Sequence, residues 1–190
     1  MTTRIPPAEM TGLYGGLVKA IARRMVGNVP DGVAVSWHNR KVMNFSLSVG
    51  RKVKKWDRCD ENLKSFAQMA VAALVGCEFC LDYGYFEAHN KGLDEKKARE
   101  TPRWRESAVF TPLERDVMEY AEAMSVTPPT VTDELSARLL DALGPAALVE
   151  LTAHIAFSNF STRSNIALGV GSEEYAASCA LAPLAVPSKS

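Results

Sequence analysis

Residues 60–90 read DENLKSFAQMAVAALVGCEFCLDYGYFEAHN, and this stretch sets the architecture. Asp60 has the short acceptor side chain that caps a helix start. Nothing from there to Val75 interrupts a helix, and Gly76 is the residue type that ends one. Cys77 opens a second helical run to about Asn90, stopped by Gly92. Upstream, Met10, Leu13, Tyr14, Leu17, Val18, Ile21 and Met25 recur at three- and four-residue steps, one apolar stripe of a helix over Glu9–Val26. A break at Asn28–Gly32 precedes a helix from about Val35 to Trp56, whose polar face carries Arg51, Lys52, Lys54, Lys55 and Arg58 as a solvated basic end. Downstream, a short helix over Asp94–Glu100 stops before Pro102. Thr111-Pro112-Leu113-Glu114 then has the pattern of a capping box and starts a helix to about Ser125. Thr132 opens a helix to Leu143 that Gly144 closes, and Pro145 begins a long apolar helix to about Leu168. No run alternates with period two, so the expected fold is all-α, one domain over 1–190 with about eight helices. The end of the chain, 172–190, is expected to be a mobile tail with one weak helical stretch, Glu173–Leu181.

At 190 residues the chain is long enough for one full hydrophobic core. Its 47% hydrophobic and 23% charged residues exclude a disordered chain. Lys and Arg number 22, as do Asp and Glu, so the basic excess of a nucleic-acid binder is missing. No unbroken apolar run reaches membrane-span length, and the N-terminal MTTRIPPAEMTG lacks the apolar core of an export signal. The expected setting is therefore the reducing cytoplasm, with no membrane and no nucleic acid as partner.

Four cysteines are too few for a disulfide scaffold. Two of them, Cys77 and Cys80, form a C-x-x-C at a helix start. Residues three apart on a helix share a face, with Cβ atoms about 5–6 Å apart, so a small adjustment closes a disulfide there. A helix N-terminus lowers thiol pKa and raises the thiolate fraction, which is the form that attacks peroxide or disulfide. Zinc is the rival chemistry. One C-x-x-C gives two of four ligands, and His89, His154, Cys59 and Cys179 stand in no recognisable ligand spacing. No metal and no cofactor are expected.

A helix followed by Gly-Cys-x-x-Cys opening the next helix resembles the carboxymuconolactone decarboxylase-like superfamily, in its alkylhydroperoxidase D-like branch. A second stretch adds to this. Pro102-Arg103-Trp104-Arg105-Glu106-Ser107 and then Phe110-Thr111-Pro112-Leu113-Glu114-Arg115 are similar to that branch's Trp-Arg-Glu-Ser loop and following helix. The likeness covers Val42 to Ser125, with a looser match at Phe157, Asn159 and Asn165. It implies an alkylhydroperoxidase D-like helical bundle, homo-oligomers that are often trimers or hexamers, and thiol-dependent reduction of hydroperoxides recycled by a dithiol reductant. It further implies Cys80 as the peroxidatic thiol and Cys77 as the resolving one, met by the external reductant. The family relay places a Glu twelve residues before the first Cys and a His four after the second. Those positions here hold Ser65 and Gly84, neither of which shuttles a proton.

Four other residues bear on the missing base. Glu78 and Asp82 are expected to be surface carboxylates, since charges turned inward would raise the thiol pKa. His89 lies nine residues past Cys80, some 13 Å along the axis at 1.5 Å per residue, too far to act on it. His154, four after Glu150 on the long apolar helix, is the candidate base from another element, against the alternative of a core histidine. Trp104, Tyr83, Tyr85 and Phe86 are expected to pack in the core or at a subunit contact, and Cys59 and Cys179 to be unpartnered thiols. Two alternatives to a peroxidase stay open: a carboxymuconolactone decarboxylase-like lyase, and a non-catalytic helical oligomer with structural cysteines. The multi-faced apolarity of Pro145–Leu168 points to assembly through helix contacts.

Overall fold

The computed structural model describes residues 3–187. It contains α1 (Gly12–Val26), α2 (Asp31–Ser36), a 3-10 turn (Trp37–Asn39), α3 (Arg40–Val53), α4 (Glu61–Val75) and α5 (Glu78–Asn90). These are followed by α6 (Glu95–Glu100), a 3-10 segment (Thr101–Glu106), α7 (Pro112–Ala123), α8 (Asp133–Leu168) and the four-residue α9 (Tyr175–Ser178). No strand occurs among the described residues, as the all-α reading requires.

The start and stop signals work as side-chain chemistry predicts. Asp60 accepts from the N–H of Asn62 and of Leu63, at 2.8 and 3.2 Å. Thr111 and Glu114 form the reciprocal box, at 3.3 and 2.8 Å. Gly76 ends α4 in the left-handed region, with φ of 77°. The expected long helix over 35–56 is instead two. Asn39 leaves helical geometry and accepts from the N–H of Val42 at 3.3 Å, so it caps a new helix in mid-run. Gly144 breaks α8 into two limbs at φ 74°, where the sequence places a helix boundary.

α4 is the axle of the molecule. It packs against α5, α7 and α8, and its Phe66, Ala67, Met69, Ala70, Val71 and Ala72 are all fully enclosed. These apolar faces are covered by the three helices, and the alanines let the neighbours approach closely. The Trp104 loop is tied to α7 by Trp104 Nε1 donating to Glu122 Oε1 at 2.9 Å and by Arg115 donating to the Trp104 and Ser107 carbonyls. α8 is long and apolar enough, by length and composition alone, to cross a membrane, which the sequence reading did not expect. Here its face with Leu151, Ile155 and Ser158 packs into the protein core.

The tail corrects another expectation. Through residue 187 it lies on the body instead of hanging free. Tyr175 is buried among Phe79, Tyr83 and Phe86. Further on, Arg99 and Ala185 exchange hydrogen bonds with the Pro183 and Arg99 carbonyls. Ser188–Ser190 fall outside the described residues.

Candidate dithiol site

Gly76 turns the chain so that Cys77 becomes the N-cap of α5. Cys77 Sγ accepts from the Cys80 N–H at 3.3 Å, and the two cysteines are joined as a disulfide across a Cα separation of 5.3 Å. The pair sits on Ala72 with Val75, Phe79, Leu81 and Ile166 around it. Cys77 is 1% exposed and Cys80 7%. The expectation that Cys77 faces an external reductant is therefore not met in the single chain: as the cap it is tucked under the end of α4, and Cys80 is the more open of the two.

A polar group from another element does reach the sulfurs. Asn165, on the second limb of α8, donates Nδ2–H to Cys80 Sγ at 3.3 Å. Sequence reasoning had marked Asn165 only as a landmark of the last helix, because no local pattern tells which residue of α8 faces α5.

The relay positions are as barren as their residue types imply. The Ser65 hydroxyl donates to the Glu61 carbonyl one turn back. Gly84 is packed at the α4–α5 crossing, where a Cβ would stand 3.2 Å from Met69 Cγ, so a histidine there must displace a fully enclosed side chain.

His154 is not brought to the cysteines. It lies eleven residues before Asn165 on the same helix, about 16 Å along the axis at 1.5 Å per residue. Its expected partner Glu150 is taken: it accepts from Lys64 Nζ at 3.0 Å, from the Arg58 N–H at 2.8 Å and from the Cys59 N–H at 3.2 Å. Burial pushes the Glu150 carboxyl up, but the Arg58 N–H, the Lys64 ammonium and the Cys59 N–H outweigh it and hold it below its ordinary value. Both ring nitrogens of His154 are buried with no hydrogen-bond partner. Burial first, and then the Lys64 ammonium, lower its pKa to about 4, while Glu61 and Glu150 pull weakly the other way and Lys91 adds to the lowering. Its charged form is thus disfavoured in the fold, and between pH about 6.5 and 4 the unfolded chain binds the extra proton. Stability on this account is full above pH 6.5 and is lost as pH falls toward 4, by on the order of 3 kcal/mol. His154→Phe keeps the ring, needs no partner and should flatten that limb of a urea-unfolding pH profile.

Asp82 corrects the expected surface carboxylate. It is buried and accepts from Ser172 Oγ, Tyr175 N–H and Ala176 N–H, each at 2.9 Å. Its charge is spent on capping α9, which positions the tail beside the site. Glu78 is exposed as expected. His89 is exposed, 4.0 Å from Glu95. Cys59 is buried, and burial pushes its thiol up to about 11, out of reach of neutral-pH chemistry; Cys179 is exposed. Trp104 and Tyr85 are buried, as expected of packing residues. Among the described residues no three His, Cys, Asp or Glu side chains cluster where they could hold a metal ion.

This hairpin and its cysteines lie inside a stretch, residues 41–123, that matches the family model of the carboxymuconolactone decarboxylase family. The Escherichia coli K12 protein YnjA, itself uncharacterized, is 37% identical over 169 residues, 87% of this chain and 92% of its own length. The chain belongs to the carboxymuconolactone decarboxylase family. The matched stretch coincides with the span, Val42 to Ser125, on which the sequence resemblance rests. Solved structures give the fold. A peroxidase-related protein with an alkylhydroperoxidase AhpD core from Ralstonia eutropha JMP134 superposes with a TM-score of 0.80 at 14% identity, over 92% of this chain and 95% of that one. The debrominase Bmp8, in a cysteine-to-alanine variant bound to 2,3,4-tribromopyrrole, does so at 0.80 and 19%, over 94% and 96%. The fold is the alkylhydroperoxidase D-like helical bundle.

Proposed function

We infer that this chain reduces hydroperoxides with the Cys77–Cys80 pair and is recycled by an external dithiol. The observation that supports it is the pair's setting: two cysteines joined at the N-terminus of α5, each sulfur receiving one N–H, from Cys80 backbone and from Asn165. Donors to sulfur favour the thiolate.

The Cys80 thiolate attacks one peroxide oxygen. The O–O bond breaks, Cys80 becomes a sulfenic acid, and the alkoxide leaves and takes a proton from water. The Cys77 thiolate then attacks the sulfenic sulfur. Hydroxide leaves and is protonated, and the disulfide closes. A dithiol reduces it through a mixed disulfide, losing two electrons to the pair. The greater exposure of Cys80 and the Asn165 amide on its sulfur favour it for the first step. With Ser65 and Gly84 at the relay positions, protons pass to solvent, and turnover lacks the roughly 10²–10⁴-fold that general acid–base help supplies. A dithiol-recycled enzyme suits a reducing compartment, so this reading carries the cytoplasmic placement with it.

Reduced protein given one equivalent of hydroperoxide should lose two thiols and gain one bond within the chain. Thiols that stay titratable would sink the reading. Asn165 has its own test. It stabilises the Cys80 thiolate without titrating, so Asn165→Leu should raise the Cys80 thiol pKa by roughly one unit, the worth of one neutral hydrogen bond. Asn165→Asp should raise it further, because a carboxylate opposes the thiolate. The pH dependence of alkylation rate measures both.

A further inference from the structure

Thiol–disulfide exchange needs a thiolate to touch one of the two sulfurs, and cysteines exposed by 1% and 7% leave little room for it. Ala72 and Val75 of α4, Ile166 of α8, and Phe79 and Leu81 of α5 stand around the pair. α4 and α8 carry the main core, so their side chains are fixed where they are. Phe79 is held differently. Tyr83 stacks on it at 6.0 Å between ring centroids, and Tyr175 of the tail meets it edge-on at 6.1 Å. Tyr175 is 3% exposed and also lies against Tyr83 and Phe86, at 5.8 Å each. The helix that presents Tyr175 cannot stand by itself. α9 has four residues, and at either end of it Glu174 and Ala180 take φ of 59° and 55°, the left-handed region that side chains disfavour. Asp82 holds it down, accepting from Ser172 Oγ and from the Tyr175 and Ala176 N–H groups at 2.9 Å each. Beyond α9 the segment is tied at both ends. The Val170 N–H donates to the Asn165 carbonyl and the Ala185 N–H to the Arg99 carbonyl, at 3.0 Å each.

We propose that α9 is a strap over the dithiol site. Docked, it pins Phe79 against the oxidised pair; lifted, it frees Phe79 and opens the sulfurs to an external dithiol. A strained segment between two fixed ends, held by one carboxylate and one ring, opens locally at far lower cost than the core beneath it. The exchange then runs in two displacements. One thiolate of the reductant attacks a cysteine sulfur and the other cysteine leaves as thiolate. The reductant's second thiolate next attacks its own sulfur in the mixed disulfide and releases the first cysteine, so two electrons pass from the dithiol to the pair. The strap serves the recycling half of the cycle above and rests on that reading for its use, but reduction of the pair is measured without peroxide.

The test follows reduction of the full chain, oxidised with diamide, by dithiothreitol, with the Cys77–Cys80 bond read by alkylation and mass spectrometry. Asp82→Ala removes the anchor. Tyr175→Gly removes the pin and leaves the charge beside the cysteines unchanged, so an effect shared by both variants is not electrostatic. Each should speed reduction by about tenfold or more as the open fraction of the strap rises. Glu174→Gly with Ala180→Gly relieves the left-handed strain and should slow reduction severalfold, a direction that damage to the fold does not produce. Hydrogen exchange at the Tyr175 and Ala176 amides should rise in the first two variants and fall in the glycine pair. Melting curves check the body of the fold. If Asp82→Ala or Tyr175→Gly fails to fold, Asp82→Asn, which keeps one acceptor oxygen, replaces it. Equal reduction rates in wild type and Tyr175→Gly overturn the strap, as does a glycine pair that speeds reduction. Thiols inert to peroxide, with these rate changes intact, sink the peroxidase reading and leave the strap standing. Thiols that diamide leaves unpaired overturn both.

Discussion

On the proposed reading, Cys80→Ser should abolish hydroperoxide consumption, by at least about a thousandfold, as expected when the nucleophile of a covalent cycle is removed. It should also leave nothing for a sulfenic-acid reagent to trap. Cys77→Ser should fail differently: Cys80 would still attack, but with no thiol beside it the sulfenic acid should accumulate, trap and overoxidise to the sulfinic acid. Mass spectrometry after one equivalent of peroxide reads both outcomes. The structure sharpens this contrast. The helix terminus alone favours Cys77 as the thiolate, since its sulfur takes the Cys80 N–H, while the Asn165 amide supports Cys80 from α8. A sulfenic acid found in Cys80→Ser and not in Cys77→Ser would reverse the roles, and wild-type thiols inert to peroxide would remove the redox reading altogether.

Lys64→Met should destabilise the fold by about 3–5 kcal/mol, the range for removing one partner of a buried ion pair. Lys64 is 3% exposed and donates to Glu150 Oε1 and to the Trp56 carbonyl, at 3.0 and 2.7 Å. Its loss leaves the Glu150 carboxylate enclosed with only backbone donors. Glu150→Leu should be the worse variant. It leaves the Lys64 ammonium only Glu61, at 3.1 Å, and the Trp56 carbonyl, and it orphans the N–H groups of Arg58 and Cys59, which Glu150 alone accepts at the α3–α4 connection. In a chain of this size each kcal/mol moves Tm by roughly 2–4 °C, so both variants should shift by several degrees to well over ten. If the double variant Lys64→Met, Glu150→Leu proves less stable than Glu150→Leu alone, the pair is not the unit that holds α8 to α4.

Much of the local structure was legible because its causes are local. Asp60, Thr111, Thr132, Gly76 and Gly144 act on amides and dihedrals within a few residues, so their effects can be read off spacing. Asn39 caps α3 by the same local means, but the apolar face over 35–56 runs across it, so the sequence reads there as one helix. Lys64 also left a trace: a cation among Leu63, Ala67 and Val71 on the inner side of a helix needs a buried partner.

The sequence by itself determined the helical class, the α4–α5 hairpin with a cysteine pair at its turn, and the family. Each depends on residue type at short separation, where backbone geometry leaves few choices. The tertiary structure decided which distant side chains meet. It put Asn165 on Cys80 across 85 residues, turned Asp82 inward to hold the Tyr175 tail 93 residues away, and gave Glu150 to Lys64 instead of to His154. Such pairings depend on the rotation of each helix about its axis and on the crossing of α8 over α4 and α5. Those angles come from packing the whole core at once, and no window of sequence contains them.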